Sequence, residues 1–265
     1  MNIDFESVSK MKEKVFVALP QSESGRYSDF EANLNLVVTP PYTTPPQRLC
    51  GIYIANLQNT LARAFLASDF EWFWLLNDDQ LYYPDTLLRL LSHKKDVVGP
   101  LCLLKAAPHS PILYTRMPDG HLTYEYLGRH DRGLKTKPRM VIGGGGMLVH
   151  RRVFEAIPDP WWTVTTKQNP KSGLFEQTSE DVDFCAKVED AGFQIWCDLD
   201  VSVIHNATYG LKAVYDTASG QWITVLMRGE EQIGIPAAAP EPSPIEIYNH
   251  MPPHQKDWDR QLQAR

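Results

Sequence analysis

The sequence has few cysteines, no long hydrophobic run and no excess of positive charge. Its cysteines include no C-x-x-C pair, which excludes a disulfide framework and a zinc knuckle. We expect reduced core thiols at Cys50, Cys102, Cys185 and Cys197. Residues 15–19 and 72–76 are among the longest apolar runs, and both are far shorter than the about 18–20 residues of a membrane span. These shortages predict a cytoplasmic protein without a transmembrane helix.

Targeting signals and net charge exclude further classes. Residues 1–14 are polar and mixed in charge, unlike a signal peptide, and the sequence has no lipid-anchor motif. The net charge of -6 argues against a protein that coats nucleic acid by charge alone, although a local basic groove remains compatible with it. We expect one catalytic domain at residues 1–228 and a Pro-rich tail at 229–265, with no room for a separate acceptor-targeting domain.

Hydrophobic periodicity predicts strands that alternate with helices. The predicted strands are 15–19, 71–76, 96–99, 140–142, 147–149, 193–197 and 201–204. The predicted helices are 48–68, 86–92, 151–157 and 180–191. This alternation predicts an α/β fold with a Rossmann-like mixed, mostly parallel sheet flanked by helices. Ligands of such sheets bind beyond the carboxyl ends of the strands.

An acidic turn follows the predicted strand at 71–76. Asn77, Asp78 and Asp79 place two adjacent carboxylates at a strand end, where they repel each other unless they are solvated or bind a cation. Oxygen ligands suit Mg²⁺ or Mn²⁺ that carries substrate phosphates. A solvated turn before the next helix explains the same residues, so this motif alone leaves both interpretations open.

A second acidic group begins the predicted helix at 180–191. Glu180, Asp181 and Asp183 lie in its first turn, behind Ser179 as a candidate N-cap. Favourable interaction with the helix dipole explains carboxylates at this position. The functional alternative is a general base that takes a proton from an acceptor hydroxyl.

Two further features lie at strand ends. His205 follows the strand at 201–204 and is either a hydrogen-bonded structural residue or, with a carboxylate, a Mn²⁺ ligand. The glycine run at 143–146 either allows backbone to approach a ligand closely or marks a bulge. Its spacing excludes a Walker loop and a dinucleotide fingerprint.

In their order and spacing, these four features resemble the GT-A fold glycosyltransferases, especially compact bacterial and phage members related to the family 2 enzymes. The resemblance covers about residues 14–210. The acidic turn at 77–79 is similar to the DXD motif, the run at 143–146 to the glycine loop, and the group at 179–181 to the xED motif. His205 resembles the family's C-terminal metal-binding histidine. Asn77 is a departure, because the family has an aspartate there.

The resemblance implies a GT-A fold and the transfer of a sugar from a nucleoside diphosphate sugar, most simply a UDP-sugar, to a hydroxyl acceptor. It implies that Asp181, with Glu180 beside it, is the base of an inverting reaction. Mn²⁺ or Mg²⁺ would be held by Asp79 and His205, and a register with Asp78 as the ligand stays open. The implied donor-binding residues are Pro20, Gln21, Asn77, Asp78, Gly144 and Gly145.

The sequence indicates the acceptor less clearly than the donor. Some compact phage enzymes glycosylate hydroxylated pyrimidines, so a modified DNA base extruded from the duplex is one candidate, and a glycan or polysaccharide is the alternative. The basic stretch at 129–139 is either a solvated loop or a phosphate-contacting edge. The aromatic residues that we consider for base stacking or for core packing are Trp161, Trp162, Tyr124 and Tyr126.

Other functions stay open. Arg48 and Arg63 are either contacts of the diphosphate or plain surface cations. A non-catalytic nucleotide-sugar-binding protein on the same fold is an alternative, favoured only by Asn77. A nucleotidyltransferase fits poorly, because residues 20–26 lack the glycine-rich basic signature expected after the first strand. The oligomeric state is not predicted.

Overall fold

The structure is a computed structural model that describes residues 3–21, 28–105, 109–118, 120–128, 130–168, 175–206, 210–228 and 231–234. Within these ranges, no helix has the length and apolar character needed to cross a membrane. The helices described are α1 Phe5–Ser9, α2 Ser28–Leu34, α3 Ile54–Leu66, α4 Thr86–Ser92, α5 Arg151–Ala156 and α6 Glu180–Asp190.

The strands described, in chain order, are β1 Val15–Gln21, β2 Gln47–Cys50, β3 Trp72–Leu75, β4 Gln80–Leu81, β5 Val97–Leu101, β6 Leu113–Arg116, β7 Leu122–Tyr124, β8 Leu134–Lys135, β9 Met140–Ile142, β10 Leu148–His150, β11 Thr165–Gln168, β12 Phe175–Thr178, β13 Ile195–Ser202, β14 Ile204–Asn206, β15 Gly210–Asp216, β16 Gln221–Arg228 and β17 Glu231–Gly234.

The central sheet has the strand order β2-β1-β3-β10-β5-β13-β8. β1 runs parallel to β2 and β3, and β5 runs parallel to β13. β10 is antiparallel to both of its neighbours, and β8 is antiparallel to β13. The sheet is therefore mixed, as the sequence predicted, with three parallel and three antiparallel pairings.

Smaller sheets extend this core. One has the order β17-β16-β15-β14-β4, a second has the order β7-β6-β9, and β11 pairs with β12. The β17 strand lies beyond residue 228, where we placed the end of the catalytic domain from the sequence. The rest of the predicted Pro-rich tail, residues 235–265, lies outside the described residues.

Alternating residues of the central strands build a core on both faces of the sheet. In β1, Phe16 and Ala18 join one buried cluster, whereas Val15, Val17 and Leu19 join the other. This alternation follows from the two-residue repeat of a strand. Residues of α3, α5 and α6 complete the first cluster, and residues of α2 and α4 complete the second. The helices thus flank the sheet on both sides.

The helix predicted at 48–68 begins only at Ile54. The residues before it, Gln47–Cys50, form β2 and pair in parallel with the end of β1. A run this short fits both the helical and the strand period, so the free edge of β1 decided its structure. Cys50 is exposed, and the prediction of a core thiol is therefore wrong for this cysteine.

The strands predicted at 193–197 and 201–204 also need correction. The first begins at Ile195 and continues through Ser202 as the single strand β13, and β14 follows at Ile204–Asn206. The predicted break covers residues 198–200, where Asp198 and Asp200 are acidic. Asp198 is nevertheless buried, because its carboxylate accepts a hydrogen bond from His93 Nε2 at 2.7 Å. The other predicted strands and helices agree with the structure to within about two residues.

Candidate functional site

The carboxyl ends of β1 and β3 lie side by side, because the two strands run parallel. The backbone N–H of Leu76 donates to the carbonyl of Ala18 at 2.8 Å, beyond the last residue of β3. The chain that follows β3 therefore emerges beside the last residues of β1. This arrangement places Asn77 on the same edge of the sheet as Pro20 and Gln21, where α/β folds bind ligands.

Pro20 and Gln21 are themselves part of the sheet. Both are buried in β1, paired with Leu49 and Cys50 of β2. The Nε2 atom of Gln21 is buried and has no hydrogen-bond partner within the described residues. Its amide is a polar group at the edge where the sequence predicted the nucleotide.

Strand pairing brings the acidic turn to His205. The turn leads directly into β4, which pairs antiparallel with β14 and sets Gln80 opposite His205. The backbone N–H of Asn206 donates to the carbonyl of Asp79 at 2.7 Å. The two residues predicted as metal ligands are therefore neighbours in space although they are far apart in the sequence.

The Asp79 carboxylate lies between two cationic side chains. Its Oδ2 atom is 3.4 Å from His205 Nε2 and 2.6 Å from Lys105 Nζ. Its Oδ1 atom is buried and has no hydrogen-bond partner within the described ranges. The Asp79 carboxylate is thus in contact with His205.

The orientation of His205 is set by its other ring nitrogen. Nδ1 lies 2.7 Å from the carbonyl oxygen of Leu103, which can only accept, so Nδ1 carries the proton and Nε2 faces Asp79. Burial acts to lower the pKa of His205, but its contacts with Asp79 and Cys102 outweigh burial and raise that pKa to about 10. Burial acts to raise the pKa of Asp79, and His205 and Lys105 outweigh it and hold that pKa below its usual value.

The side chains of Asp79 and His205 suit a divalent cation whose coordination shell is completed by substrate oxygens. A carboxylate oxygen and an imidazole nitrogen are accepted ligands of Mn²⁺, and Asp79 Oδ1 is a buried oxygen that still needs a partner. Among the side chains that the structure describes, no group of three or more His, Cys, Asp or Glu could hold a metal ion. Water and phosphate oxygens would have to supply the remaining ligands, as is common for Mg²⁺.

The glycine run packs against Asp181, which begins α6. The backbone N–H of Gly144 donates to Asp181 Oδ2 at 2.9 Å. A Cβ atom at Gly144 would lie only 2.5 Å from Asp181 Oδ1, closer than real Cβ contacts come. Glycine is therefore required here by close approach, and it brings a backbone donor to the carboxylate.

Asp181 is a predicted site carboxylate whose acidity is strongly perturbed. Burial raises the pKa of Asp181 to about 7, the charge of Glu180 adds to the increase, and the hydrogen bond from Gly144 opposes it. Its Oδ1 atom is buried and has no hydrogen-bond partner among the described residues. An acidic group that ionises near neutral pH and has one orphaned oxygen is suited to accept a proton.

Asp183 has a structural role. The contacts of Ser179 reveal no role for its side chain. Asp183 Oδ2 accepts hydrogen bonds from the backbone N–H and the hydroxyl of Thr163, at 3.0 and 2.6 Å, and forms an ion pair with Lys187. The Ser179 side chain makes no capping hydrogen bond, so the predicted N-cap occupies its position without the predicted bond.

Gln80 and Tyr82 connect the two halves of the site, and no sequence motif singles them out. A Cβ atom at Gly145 would collide with the Gln80 side chain, which is buried. Gln80 Oε1 accepts from the Tyr82 hydroxyl at 3.2 Å, and that hydroxyl accepts from the backbone N–H of Asn77 at 2.9 Å. The glycine run and the acidic turn are thus in contact through Gln80.

The arginines considered for the diphosphate are engaged elsewhere. Arg48 forms two hydrogen bonds with Glu31, at 2.6 and 2.8 Å, and Arg63 forms two with Asp159, at 2.6 and 2.7 Å. These bidentate pairs favour the interpretation as structural or surface cations. Lys105, which the sequence did not single out, is a cation that lies at the acidic turn.

The residues considered for the acceptor are also mostly engaged. Arg129 of the basic stretch lies outside the described residues, and Arg132, Lys135 and Lys137 form ion pairs with nearby carboxylates. Arg139 is exposed. The stretch is therefore a less basic surface than its sequence suggests.

The aromatic residues divide between core and surface. Trp161 and Trp162 are buried, and Trp162 stacks on Phe184 with ring centroids 4.6 Å apart, so both belong to the core. Tyr124 packs against Tyr114 at 5.0 Å. Tyr126 is 82% exposed and is the one of the four that presents an open ring.

Fold and site together define an α/β protein with a Rossmann-like mixed sheet, a single domain and buried carboxylate oxygens of Asp78, Asp79 and Asp181. Among solved structures, the crystal structure of A197 from STIV is similar, with a TM-score of 0.53 and 14% sequence identity. The match covers 85% of this chain and 99% of A197. No protein-family model and no curated protein matches the sequence.

The similarity to A197 concerns the fold alone. It confirms the predicted α/β, Rossmann-like fold over most of the chain. The resemblance to glycosyltransferases, with the residue roles that it implies, stays a prediction.

Proposed function

We propose that the protein is a glycosyltransferase that moves a sugar from a nucleoside diphosphate sugar to a hydroxyl acceptor, with inversion at the sugar carbon. One observation carries the proposal. Asp79 Oδ1 and Asp181 Oδ1 are both buried and without a hydrogen-bond partner among the described residues, and their two segments meet through Gly145 and Gln80. A buried carboxylate oxygen without a partner calls for an explanation, and a bound ion or a catalytic role supplies one.

Asp181 is the proposed base. The acceptor oxygen forms a bond to the anomeric carbon, the bond from that carbon to the diphosphate breaks, and the acceptor proton passes to Asp181. Gly144 N–H holds Oδ2, which leaves Oδ1 for the incoming hydroxyl. Because Oδ1 is buried, the acceptor reaches it only after the carboxylate turns or the glycine run shifts.

The donor is proposed to lie along the carboxyl edge of β1 and β3. The Asn77 amide can hydrogen-bond a ribose hydroxyl in place of an aspartate, and Asp78 stands beside it. Pro20 and Gln21 would border the base, and the backbone at Gly144 and Gly145 would approach the sugar. Asp79 and His205 would hold Mn²⁺ or Mg²⁺, which when bound would neutralise charge on the leaving diphosphate.

The first experiment is a donor screen. The full chain is incubated with a panel of nucleotide sugars and a divalent metal, and released nucleoside diphosphate and glycosylated product are measured by mass spectrometry. Acceptor trials include hydroxymethylated DNA, oligosaccharides and protein hydroxyls. Binding of a nucleotide sugar without hydrolysis or transfer under any condition would favour the non-catalytic alternative. Retention of the donor's anomeric configuration would exclude simple inversion.

The base is tested with Asp181→Asn. We expect turnover to fall by at least about 100-fold while donor affinity stays within about threefold, because general-base catalysis contributes 10²–10⁴-fold. Asp190→Asn, at the exposed far end of the same helix, is the matched control and should behave as the wild type. Near-normal turnover in Asp181→Asn would remove Asp181 from the role of base.

A further inference from the structure

Lys105 is a cation at the acidic turn that the proposed reaction has not yet used. Its Nζ atom lies 2.6 Å from Asp79 Oδ2, the same oxygen that His205 Nε2 approaches at 3.4 Å. The Lys105 side chain is 36% exposed, whereas that of His205 is only 12% exposed. The lysine ammonium therefore stands at the solvent side of the carboxylate, where an anionic ligand would arrive.

The carboxylates at this edge make a nearby cation favourable for binding an anionic donor. Asp78 and Asp79 place two carboxyl groups in the acidic turn, beside the edge where we propose the diphosphate. Like charges repel at close range, so positive charge beside these groups favours binding of the diphosphate. An ammonium has three donor hydrogens, so the lysine that contacts Asp79 can also donate to an oxyanion.

We propose that Lys105 is a donor-binding residue whose ammonium contacts the diphosphate and stabilises the charge that develops on it. This inference rests on the proposed function and names a residue of the same site. When the sugar–oxygen bond breaks, its electron pair goes to the diphosphate, whose negative charge increases by one. Lys105 stays protonated and donates a hydrogen bond to that oxygen, while the acceptor proton goes to Asp181.

Direct contact with the diphosphate has a consequence that a purely structural lysine does not share. If Lys105 only held Asp79 in place, its removal would weaken the binding of a nucleoside monophosphate and of a nucleoside diphosphate equally. If Lys105 contacts the diphosphate directly, its removal weakens the binding of the nucleoside diphosphate more than that of the monophosphate. A part of the diphosphate affinity should also persist in chelator, because the lysine charge does not depend on a metal.

The test uses isothermal titration calorimetry on the full chain. The probes are UDP, GDP, ADP, CDP and dTDP with their monophosphates, each with Mn²⁺ and separately with EDTA. For the diphosphate that binds the wild type best, Lys105→Met should weaken binding about 10- to 100-fold, the range of a hydrogen bond to a charged group. Binding of the matching monophosphate should change less than about threefold. Lys105→Arg, which keeps the charge, should restore most of the affinity.

Lys135→Met is the matched control, because Lys135 is also a partly buried lysine in an ion pair, with Asp131 at 2.8 Å. It should bind diphosphate as the wild type does. If Lys105→Met does not fold by circular dichroism, Lys105→Gln takes its place.

Two results separate failure of this inference from failure of the proposed function. The role of Lys105 alone is overturned if Lys105→Met binds the diphosphate as tightly as the wild type does. It is also overturned if the variant loses the same affinity for the monophosphate as for the diphosphate. If the wild type binds none of the nucleoside diphosphates, both proposals fail.

Discussion

At the scale of residues, the contact between Gly144 and Asp181 sets the acidity of the proposed base. Burial of the carboxylate disfavours its charged form, and a single backbone N–H only partly compensates for the lost solvent. The pKa of about 7 is the result. A carboxylate that ionises in this range is a stronger base than an exposed aspartate at neutral pH.

This acidity predicts the pH dependence of transfer. Because the base must be ionised, the rate should rise as the pH increases through about 7 and then level off, and a pH profile of kcat/KM measures it. A rate that already levels off near pH 5 would contradict a raised pKa of Asp181.

A control for that pKa does not depend on catalysis. The pKa of Asp181 is higher in the folded state than in the unfolded state. Its neutral carboxyl therefore contributes stability below the unfolded pKa, and this contribution is lost as the pH rises through the folded pKa. The melting temperature of Asp181→Asn should therefore exceed that of the wild type above pH 7, and the two should converge near pH 4.

Gly145 offers a second test at the residue scale. Gly145→Ala would drive a Cβ atom into the buried Gln80 side chain, and overpacking of this kind costs about 1–3 kcal/mol. We expect lower stability in urea denaturation and weaker donor binding, because Gln80 adjoins Asp79. Gly143→Ala is the matched control, since its Cβ would meet only an Ile112 methyl at 3.3 Å. Equal effects of both substitutions would show that the Gln80 contact is unimportant.

At the scale of elements, two short strands bring the acidic turn and His205 together. The β4 and β14 strands have two and three residues, too short for a clear periodicity signal. Their antiparallel pairing nevertheless places Gln80 opposite His205 and ties Asn206 to the carbonyl of Asp79. The proposed metal pair depends on this pairing more than on either motif.

The end of α3 depends on one arginine of α5. The Arg151 guanidinium donates to the carbonyls of Leu66, Ser68 and Phe70 at 2.6, 2.9 and 3.1 Å. Carbonyls at the end of a helix lack partners within the helix, and a cation there also interacts favourably with the helix dipole.

We expect Arg151→Met to cost about 2–4 kcal/mol, because several partly buried carbonyls lose a charged donor. Urea denaturation measures the loss. Arg152→Met is the control; its side chain is 61% exposed and pairs with Asp96 at the surface, so it should cost less than about 1 kcal/mol. A similar loss in both variants would contradict the special role of Arg151.

At the scale of the whole molecule, helices on both faces of one mixed sheet form a single folded unit in the described residues. A ligand that binds only the folded state stabilises that unit as a whole. At 100 times its Kd, a ligand contributes about 2.7 kcal/mol. For a chain of this size, that corresponds to an increase of about 5–10 °C in the melting temperature.

We therefore expect the correct nucleoside diphosphate with Mn²⁺ to raise the melting temperature of the full chain by several degrees in a thermal-shift measurement. The corresponding nucleoside with Mn²⁺ should have little effect, because it lacks the diphosphate. If no nucleoside diphosphate shifts the melting temperature, the proposed donor class is wrong.

The sequence by itself determined most helices and strands and the candidate residues at their ends. The periodicity of β1 and β3 reflects preferences that act over a few neighbouring residues, and so do the glycines and carboxylates at turns. Such preferences can be recognised from a short stretch of sequence. The same local view failed at Gln47–Cys50, where the free edge of β1 converted an ambiguous segment into a strand.

Only the tertiary structure decided which of these residues meet. The antiparallel insertion of β10, the contact of Gln80 with the glycine run and the place of Lys105 on Asp79 all join segments that are distant in the chain. No local preference encodes such contacts, because they follow from the packing of the whole sheet. The burial that raises the pKa of Asp181 has the same origin, since a carboxylate loses its solvent only when other elements close over it.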